Sequence, residues 1–326
     1  MEEANIINLP LNYVDYVYAD SQPVTKYWCI KQNYSALIIV AGFIGVSLCG
    51  LVGNMVVIWF LGFQMKKNPF TVYVLNLSIA DFSLLLFILV ILTLHIVSTV
   101  YVTSFFQHYL AYYILMVLFL FCYYASMYLL TAMSIERCAS VLFPIWYRCH
   151  RPKHLSGIMC GILWALDGLF VSLAALSCNE KLNIDCEQLL KGLSIMNFLV
   201  FCLFPLLSNL SLFIRLRCGS QRRHPGKLYV AILLSVIFMI IFGFPPTVVI
   251  FIHLTYKNVF CLHVSYLLAP LNSSINPVIY FLVGSYRQRR FHQGSMKVAL
   301  RRVFEEKATS EEESRVPEDA TVETTV

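Results

Sequence analysis

Strongly polar residues interrupt several of the longest apolar stretches of this 326-residue chain. They are Asn54, Asp81, the adjacent Glu136 and Arg137, and the run Asn276-Pro277-Val278-Ile279-Tyr280. A polar or charged group inside a bilayer costs several kcal/mol unless a partner satisfies it. One such residue could be an accident of packing, but a set spread over separate stretches predicts one internal polar network with a function.

The elements that must position these residues are predicted from composition. Hydrophobic residues make up 59% of the chain and charged residues only 13%, with a mean hydropathy of +0.71. A soluble domain carries about 25% charged residues, so the chain is predicted to be an integral membrane protein. A membrane-spanning helix needs roughly 20 apolar residues. The gaps between charged residues predict an all-α bundle of seven spans, at 34–62, 70–97, 106–139, 155–177, 190–215, 227–252 and 260–283.

Basic residues predict the orientation of the bundle, because they collect on the cytoplasmic side. With the N-terminus outside, only five of the 24 Lys and Arg residues are extracellular. This basic inner surface suits an anionic leaflet and acidic partner surfaces rather than nucleic acid. We expect four parts in a plasma-membrane protein: an extracellular tail (1–33), the seven-span bundle (34–284), an amphipathic cytoplasmic helix (285–304) and a disordered cytoplasmic tail (305–326).

Two features are predicted outside the membrane. Cys178 and Cys186 bracket the outer loop between spans four and five. That compartment is oxidising, so a disulfide between them is predicted. Asn33-Tyr34-Ser35 matches the sequence for N-glycosylation just before the first span, which makes Asn33 a candidate acceptor.

The inner ends of spans three and seven carry the residues that suit a switch. Glu136 and Arg137 can pair with each other, or Arg137 can turn to another partner. A pair that only extends toward the interface remains an alternative. In span seven Pro277 bends the helix and frees backbone carbonyls. Asn276 can bond to those carbonyls or to water, and Tyr280 is expected to direct its hydroxyl to the inner face.

Asp81 lies in the middle of span two, and its expected environment suits a small ion. The polar residues nearest to it by depth are Asn54, Ser126, Asn272, Ser273 and Asn276. A buried carboxylate with oxygen-bearing neighbours suits a small hard cation such as sodium. A protonated, purely structural Asp81 remains an alternative. No other cofactor or metal is expected.

These residues resemble the rhodopsin-like (class A) G-protein-coupled receptors. The matching marks are Gly53-Asn54, the run Leu77-Ser78-Ile79-Ala80-Asp81, Trp164, Pro205, Pro245 and Asn276-Pro277-x-x-Tyr280. Glu136-Arg137-Cys138 stands where the family usually has Asp-Arg-Tyr. The stretch 128–154, YLLTAMSIERCASVLFPIWYRCHRPKH, is similar to the Mas-related subfamily, as are 68–73 and 272–285.

The resemblance implies a receptor that binds an extracellular ligand and activates a heterotrimeric G protein, with arrestin as a further partner and no enzymatic activity. It also implies that agonist binding biases spans five to seven and that Arg137 then leaves Glu136. Ile145, just after Pro144 in the second inner loop, resembles the apolar side chain that many receptors insert into the G protein. A non-signalling seven-span partner and a seven-span transporter remain alternatives.

Departures from the family pattern bear on the outer half of the bundle. The usual Cys at the outer end of span three is absent from residues 108–113, and the pairing of Cys178 with Cys186 fits the Mas-related pattern instead. In span six Gly243 replaces the usual Trp, so Phe244 or Met239 is expected to act in its place.

The ligand is predicted from charge and from one aromatic residue. Phe119 stands where amine receptors place Asp, so a biogenic amine is not expected. Glu180, Asp185 and Glu187 crowd the second outer loop. They are candidates, with Phe119 and Phe244, for binding a basic peptide or a small basic ligand, although a simply solvated loop remains an alternative.

The C-terminus predicts one more partner. Thr324 lies two residues before the terminal Val326. PDZ domains accept such a tail as an added strand, with the terminal apolar side chain in a pocket and the carboxylate held by backbone amides. We therefore expect a PDZ-domain protein to bind these residues.

Overall fold

The structure is a computed structural model that describes residues 24–65, 68–101, 105–177, 186–218, 227–248 and 259–285, together with Leu300 and Val303. The chain forms two compact units, Met1–Ala41 and Gly42–Val326. The described part of the first unit, 24–41, is helical. All contacts discussed below lie within the second unit.

The described residues form α-helices and contain no β-strand, as predicted. The helices are α1 (Val24–Trp59), α2 (Pro69–Tyr101), α3 (Phe105–Leu142), α4 (Pro144–Cys149), α5 (Leu155–Ser177), α6 (Cys186–Phe198), α7 (Phe204–Cys218), α8 (Lys227–Phe238) and α9 (Val259–Ser285). Within the described ranges, five segments are long and apolar enough to cross a membrane, namely Val40–Gln64, Pro69–Leu94, Leu110–Leu142, Leu155–Ala175 and Val230–Val248. Two shorter apolar helices, Ile195–Ser211 and Leu268–Val283, lie where spans five and seven are predicted.

The largest difference between a helix boundary and a predicted span is at the start of α1. The fourth predicted span, 155–177, has the bounds of α5, whereas α1 begins ten residues before the predicted first span at 34. Apolar composition marks the part of a helix that crosses lipid, and a helix can continue beyond it. Of the predicted amphipathic helix 285–304, the structure describes Ser285, which ends α9, and Leu300 and Val303, which are helical and buried. The four predicted parts of the chain therefore remain predictions.

Wide helical turns lie next to the prolines of spans five and six. A π-helical turn at Leu199–Leu203 separates α6 from α7, and Pro205 follows it. A second one at Met239–Gly243 ends α8, and Pro245 follows it in the helical segment 244–248. Proline has no N–H to donate, and a π-helical turn closes its hydrogen bonds over five residues instead of four. These turns give both spans an irregular centre.

Small residues allow α1 to approach α9 closely. A Cβ atom built on Gly53 would lie 3.0 Å from the Cβ of Pro277, so a larger residue would push the two helices apart. Ser274 also donates a hydrogen bond to the carbonyl of Val46, 3.3 Å away. The close approach places the polar residues of α1 against the backbone of α9.

Candidate functional site

The carboxylate of Asp81 joins three helices. Asp81 is fully buried. Ser126 of α3 donates to Oδ1 at 2.7 Å, and Asn276 of α9 donates to Oδ2 at 2.8 Å. A hydrogen bond to a charged group contributes about 1.5–3 kcal/mol, and in lipid no water replaces a lost partner. The structure thus brings together three of the residues that the sequence places at one depth.

Asn54 forms its hydrogen bonds with backbone carbonyls and not with the Asp81 carboxylate. Its Nδ2 donates to the carbonyl of Gly50 at 3.0 Å and to the carbonyl of Ser273 at 3.2 Å. Asn54 therefore ties α1 to α9 and makes no hydrogen bond to the carboxylate. Ser273 and Asn272 are also buried.

Several oxygen atoms of the residues predicted for this centre lack a hydrogen-bond partner among the described residues. They are Asn54 Oδ1, Asn272 Oδ1, Ser273 Oγ and Asn276 Oδ1, all buried. A buried acceptor without a partner costs about 1–3 kcal/mol. Together with the Asp81 carboxylate, these amide and hydroxyl oxygens form the kind of ligand set that hard cations prefer. These are the residue types that would hold the predicted sodium ion, and the site remains a prediction.

Of the two arrangements predicted for Glu136 and Arg137, the structure does not show the one in which they pair, because Glu136 pairs with Arg151. Arg151 Nη2 lies 2.6 Å from Glu136 Oε1, and Nε donates to the same oxygen at 2.8 Å. Nη2 also donates to Ser156 Oγ at 2.5 Å. Neighbouring residues of an α-helix point about 100° apart, so adjacent side chains do not face each other. Glu136 accordingly turns toward Arg151, which lies in the segment between α4 and α5.

Arg137 lies instead on an aromatic ring of α2. Its guanidinium carbon is 3.4 Å from the centroid of the Phe70 ring, and the residue is only 8% exposed. A desolvated cation–π contact contributes about 2 kcal/mol. Its Nε and Nη2 have no hydrogen-bond acceptor among the described residues. The guanidinium is therefore held by stacking while part of its hydrogen-bonding capacity stays unused.

The start of α2 fixes the ring under Arg137. Asn68 Oδ1 accepts from the backbone N–H groups of Phe70 and Thr71, both at 3.0 Å. The N–H of Asn68 donates in return to Thr71 Oγ1 at 2.8 Å. Such reciprocal capping satisfies the free N–H groups at a helix start, and Pro69 suits the first helical position. The sequence Asn-Pro-Phe-Thr could have indicated this platform, although sequence reasoning did not connect it with Arg137.

A third polar contact joins α3 to the irregular part of span six, and sequence reasoning missed it. The Tyr123 hydroxyl donates to the carbonyl of Gly243 and also shares a hydrogen bond with Thr247 Oγ1 at 2.7 Å. A Cβ on Gly243 would lie 2.8 Å from Met127 Sδ and 3.3 Å from Asn272. The space beside Gly243 is thus filled from α3. In the sequence, Gly243 itself could have indicated this contact, because a Gly within a helix often marks a close approach of another helix.

The candidate ligand residues are only partly described. Phe119 is fully buried and stacks on Tyr123, with ring centroids 6.4 Å apart. Phe244 packs against Phe198 at 5.3 Å, and Met239 is buried. The side chains of the remaining predicted residues lie outside the described part of the chain: Asn33, Cys178, Glu180, Asp185, Cys186, Glu187, Thr324 and Val326.

Two residues predicted for the inner face differ in exposure. Ile145 is 76% exposed in α4, directly after Pro144. Tyr280 is fully buried within the bundle instead of presenting its hydroxyl at the inner face. Ile145 is therefore free to meet a partner, whereas Tyr280 is a buried residue of α9.

We expect Arg151→Ala to lower the stability of the protein more than Glu136→Gln does. The two side chains are 5% and 11% exposed, and removing one partner of a buried pair costs on the order of 3 kcal/mol. Arg151→Ala leaves the carboxylate alone, whereas Glu136→Gln keeps an acceptor for Arg151. The thermal unfolding temperature of the purified protein checks this ordering. Exposed Lys153→Ala is the matched control, and an unfolding temperature equal to the control's in Arg151→Ala would contradict the pairing.

Comparison with known proteins adds the relatives of this chain. It matches the family described as 7 transmembrane receptor (rhodopsin family) over residues 53–280. It is 40% identical over 288 residues to Proto-oncogene Mas of Homo sapiens, an alignment that covers 86% of this chain and 87% of that protein. It is 38% identical over 293 residues to the human Mas-related G-protein coupled receptor member X1, covering 87% of each. Human member D is 38% identical over 269 residues, covering 79% and 82%.

These matches confirm the predicted seven-transmembrane fold and the predicted class of function. A receptor of this kind is a multi-pass plasma-membrane protein that binds an extracellular ligand and couples to a G protein, and it is not an enzyme. The chain belongs to the rhodopsin family of seven-transmembrane receptors and, within it, to the Mas-related G-protein-coupled receptors.

Proposed function

We propose that this receptor activates its G protein when Arg137 leaves the ring of Phe70. The observation that carries this proposal is the guanidinium stacked 3.4 Å from the ring centroid with Nε and Nη2 unused among the described residues. Guanidinium is a planar group with five N–H donors. Backbone carbonyls of a G-protein segment entering the inner face would supply the missing acceptors.

This proposal replaces the breaking of a Glu136–Arg137 pair as the activating step. Glu136 stays with Arg151, so the resting position of Arg137 is held by a contact worth about 2 kcal/mol and not by an ion pair. A ligand shifts such an equilibrium only by its differential affinity for the two states. A modest preference for the released state would then be sufficient to activate the receptor.

The experiment that tests coupling uses the exposed apolar residues of the second inner loop. Ile145 is flanked by Phe143 and Trp146, which are also exposed. Ile145→Ala should lower agonist-stimulated nucleotide exchange on the G protein and leave agonist affinity without G protein unchanged. Leu166→Ala, an exposed apolar residue of α5, is the matched control. Equal responses of both variants would reject Ile145 as the contact, and no response from the wild type would favour a non-signalling partner.

The orientation with the N-terminus outside is part of the proposal. It rests on the small share of Lys and Arg that it leaves outside. The outer Cys178–Cys186 disulfide and glycosylation of Asn33 depend on it. An N-terminal epitope should be detected on intact cells and a C-terminal one only after permeabilisation, and the reverse pattern would reject all three.

For the ligand we propose a basic peptide that binds near the outer surface, with a small basic ligand as the alternative. Phe119 and Tyr123 are buried and stacked on each other, and Tyr123 bonds to Thr247. Side chains thus fill the centre of the bundle at this depth, which supports a shallow site beside Glu180, Asp185 and Glu187. Charge reversal to Lys at each position should weaken a basic peptide agonist, and acidic substitutions in the peptide should restore potency. Unchanged potency in all three variants would reject the proposal.

We further propose that a sodium ion binds beside Asp81, held by the carboxylate and the unpaired oxygens of Asn54, Asn272, Ser273 and Asn276. Its charge would offset that of the buried carboxylate. We expect Asp81→Asn to alter agonist affinity and to remove the dependence of that affinity on sodium. Radioligand binding in sodium and in choline buffers measures this. Wild-type affinity that is indifferent to sodium would leave a protonated or structural Asp81.

Two cytoplasmic partners complete the proposal, namely arrestin and a PDZ-domain protein that takes Thr324 and Val326 as an added strand. Their support is the family and the terminal sequence. A tail peptide should retain PDZ proteins, whereas Val326→Asp or amidation of the carboxylate should abolish retention. Equal recovery with either change would reject the PDZ site. Agonist-dependent recruitment of labelled arrestin tests the other partner.

A further inference from the structure

We propose that a groove between α3, α5 and span five binds one hydrocarbon chain of an anionic phospholipid from the inner leaflet. The groove is separate from the Asp81 centre and from the Arg137–Phe70 contact. This lipid site is independent of the ligand and coupling proposals. It rests on the shape, the lining and the charge of the described residues and, for its place in the inner leaflet, on the proposed orientation with the N-terminus outside.

The groove is an apolar cavity of about 300 Å³. Ala132 on α3 is the smallest side chain in its wall, and Met159 and Leu163 of α5 and Val200 of span five form the other sides. The two hydroxyl groups that α3 contributes to the lining are already bonded: Thr131 donates to the carbonyl of Met127 at 3.0 Å, and Tyr128 donates to Asn197 Oδ1 at 2.6 Å. Such a wall selects hydrocarbon and offers little to a polar molecule.

The dimensions of the groove fit a single chain. On α3 its wall runs from Tyr128 to Glu136, and on α5 from Leu163 to Leu155. With a rise of 1.5 Å per residue, each wall is about 12 Å long, which approaches the roughly 15 Å depth of one leaflet's hydrocarbon layer. The cavity volume divided by this length leaves a cross-section of about 25 Å². Carbon atoms in contact are about 4 Å apart, so a section of this order has room for a hydrocarbon chain.

The groove opens toward lipid. Ile135 of α3 and Phe204 of α7 line it and are about half exposed. Exposed apolar side chains at this depth of a membrane-spanning bundle face the bilayer. A chain can therefore enter sideways from the inner leaflet without passing through the core of the receptor.

Charge at the cytoplasmic end favours an anionic headgroup. Glu136 ends the groove, but its carboxylate is neutralised by Arg151. Lys153 and His154 lie just beyond, both exposed, and Lys153 forms no ion pair with another described residue. The positive end of the α5 dipole adds to this potential. A lipid phosphate at the inner surface would meet a positive edge there.

The test is photolabelling of the full receptor in nanodiscs. Phosphatidylserine and phosphatidylcholine, each with a diazirine on one acyl chain, serve as probes at equal content, and mass spectrometry locates the labelled residues. We expect phosphatidylserine to label Met159, Leu163 and Val200 more strongly than phosphatidylcholine does. Labelling confined to residues outside the groove would overturn the site, and equal labelling by both lipids would overturn its anionic selectivity.

Two variants separate the groove from general lipid contact. Ala132→Phe fills the groove and should abolish labelling, whereas Ala165→Phe, the same change at an exposed position of α5 outside the groove, should not. Lys153→Glu leaves the wall intact and should reduce phosphatidylserine labelling to the level of phosphatidylcholine. Undiminished labelling in Ala132→Phe, or in Lys153→Glu if the first variant does not fold, would overturn the proposal.

Discussion

Replacing Arg137 with alanine is expected to abolish G-protein activation while the receptor remains folded at the cell surface. The stacked guanidinium contributes about 2 kcal/mol, but it is 8% exposed and two of its nitrogens lack acceptors among the described residues. An unsatisfied buried donor costs about 1–3 kcal/mol, so the two effects nearly cancel in stability. Nucleotide exchange, surface labelling and the thermal unfolding temperature measure the three quantities. Normal exchange by a well-expressed Arg137→Ala would contradict the assignment.

The partner variant is Phe70→Leu, which removes the ring and leaves Arg137 in place. If the Phe70 ring holds the Arg137 guanidinium in the resting position, loss of the ring should raise signalling in the absence of ligand. Leu85→Ala, at another fully buried position of α2, controls for a general loosening of this helix. Basal signalling at the wild-type level in Phe70→Leu would show that the stacking is only structural.

Replacing Gly243 with tryptophan, the residue usual in the family, is expected to remove the folded receptor from the cell surface. Even a Cβ atom would lie 2.8 Å from Met127 Sδ. An indole would also displace Asn272 and disturb the bond from Tyr123 to the Gly243 carbonyl. Overpacking of a core typically costs 1–3 kcal/mol, and occasionally more. Surface expression and the thermal unfolding temperature check this result.

Two further variants show whether Met127 causes the conflict. Gly243→Ala should be much milder, because its Cβ meets mainly the flexible Met127 side chain. Met127→Ala combined with Gly243→Trp should recover part of the lost expression, and the double-mutant cycle gives the coupling between the two positions. Full expression of Gly243→Trp with Met127 intact would show that the space beside Gly243 is not filled from α3.

The sequence predicted the helical spans well because lipid imposes a simple rule on them. Long gaps between charged residues identified 155–177 with the bounds of α5, and the predicted spans 70–97 and 106–139 lie within α2 and α3. This rule does not predict how far a helix continues outside the bilayer, so the early start of α1 was not expected. It is also silent about backbone irregularity, so the π-helical turns beside Pro205 and Pro245 were not foreseen.

The polar residues were predicted as a group, but their individual partners were not. Depth along each span placed Asp81, Ser126 and Asn276 together, and the structure joins them by hydrogen bonds. Depth does not give the rotation of a helix, so it could not show that Asn54 bonds to the carbonyl of Ser273 instead. At the inner end, adjacency in sequence suggested a Glu136–Arg137 pair, although helix geometry points such neighbours in different directions.

The wide turn at Leu199–Leu203 makes this part of the chain tolerant of a length change. A π-helical turn is equivalent to one residue inserted into an α-helix. Deleting one residue there would let ordinary four-residue hydrogen bonds form. Asn197 before the turn and Pro205 after it would remain on the same sides of the helix. The same deletion within the regular part of α3 would rotate every later side chain by about 100°. When this receptor is aligned with its relatives, a single-residue gap in span five therefore belongs at this turn.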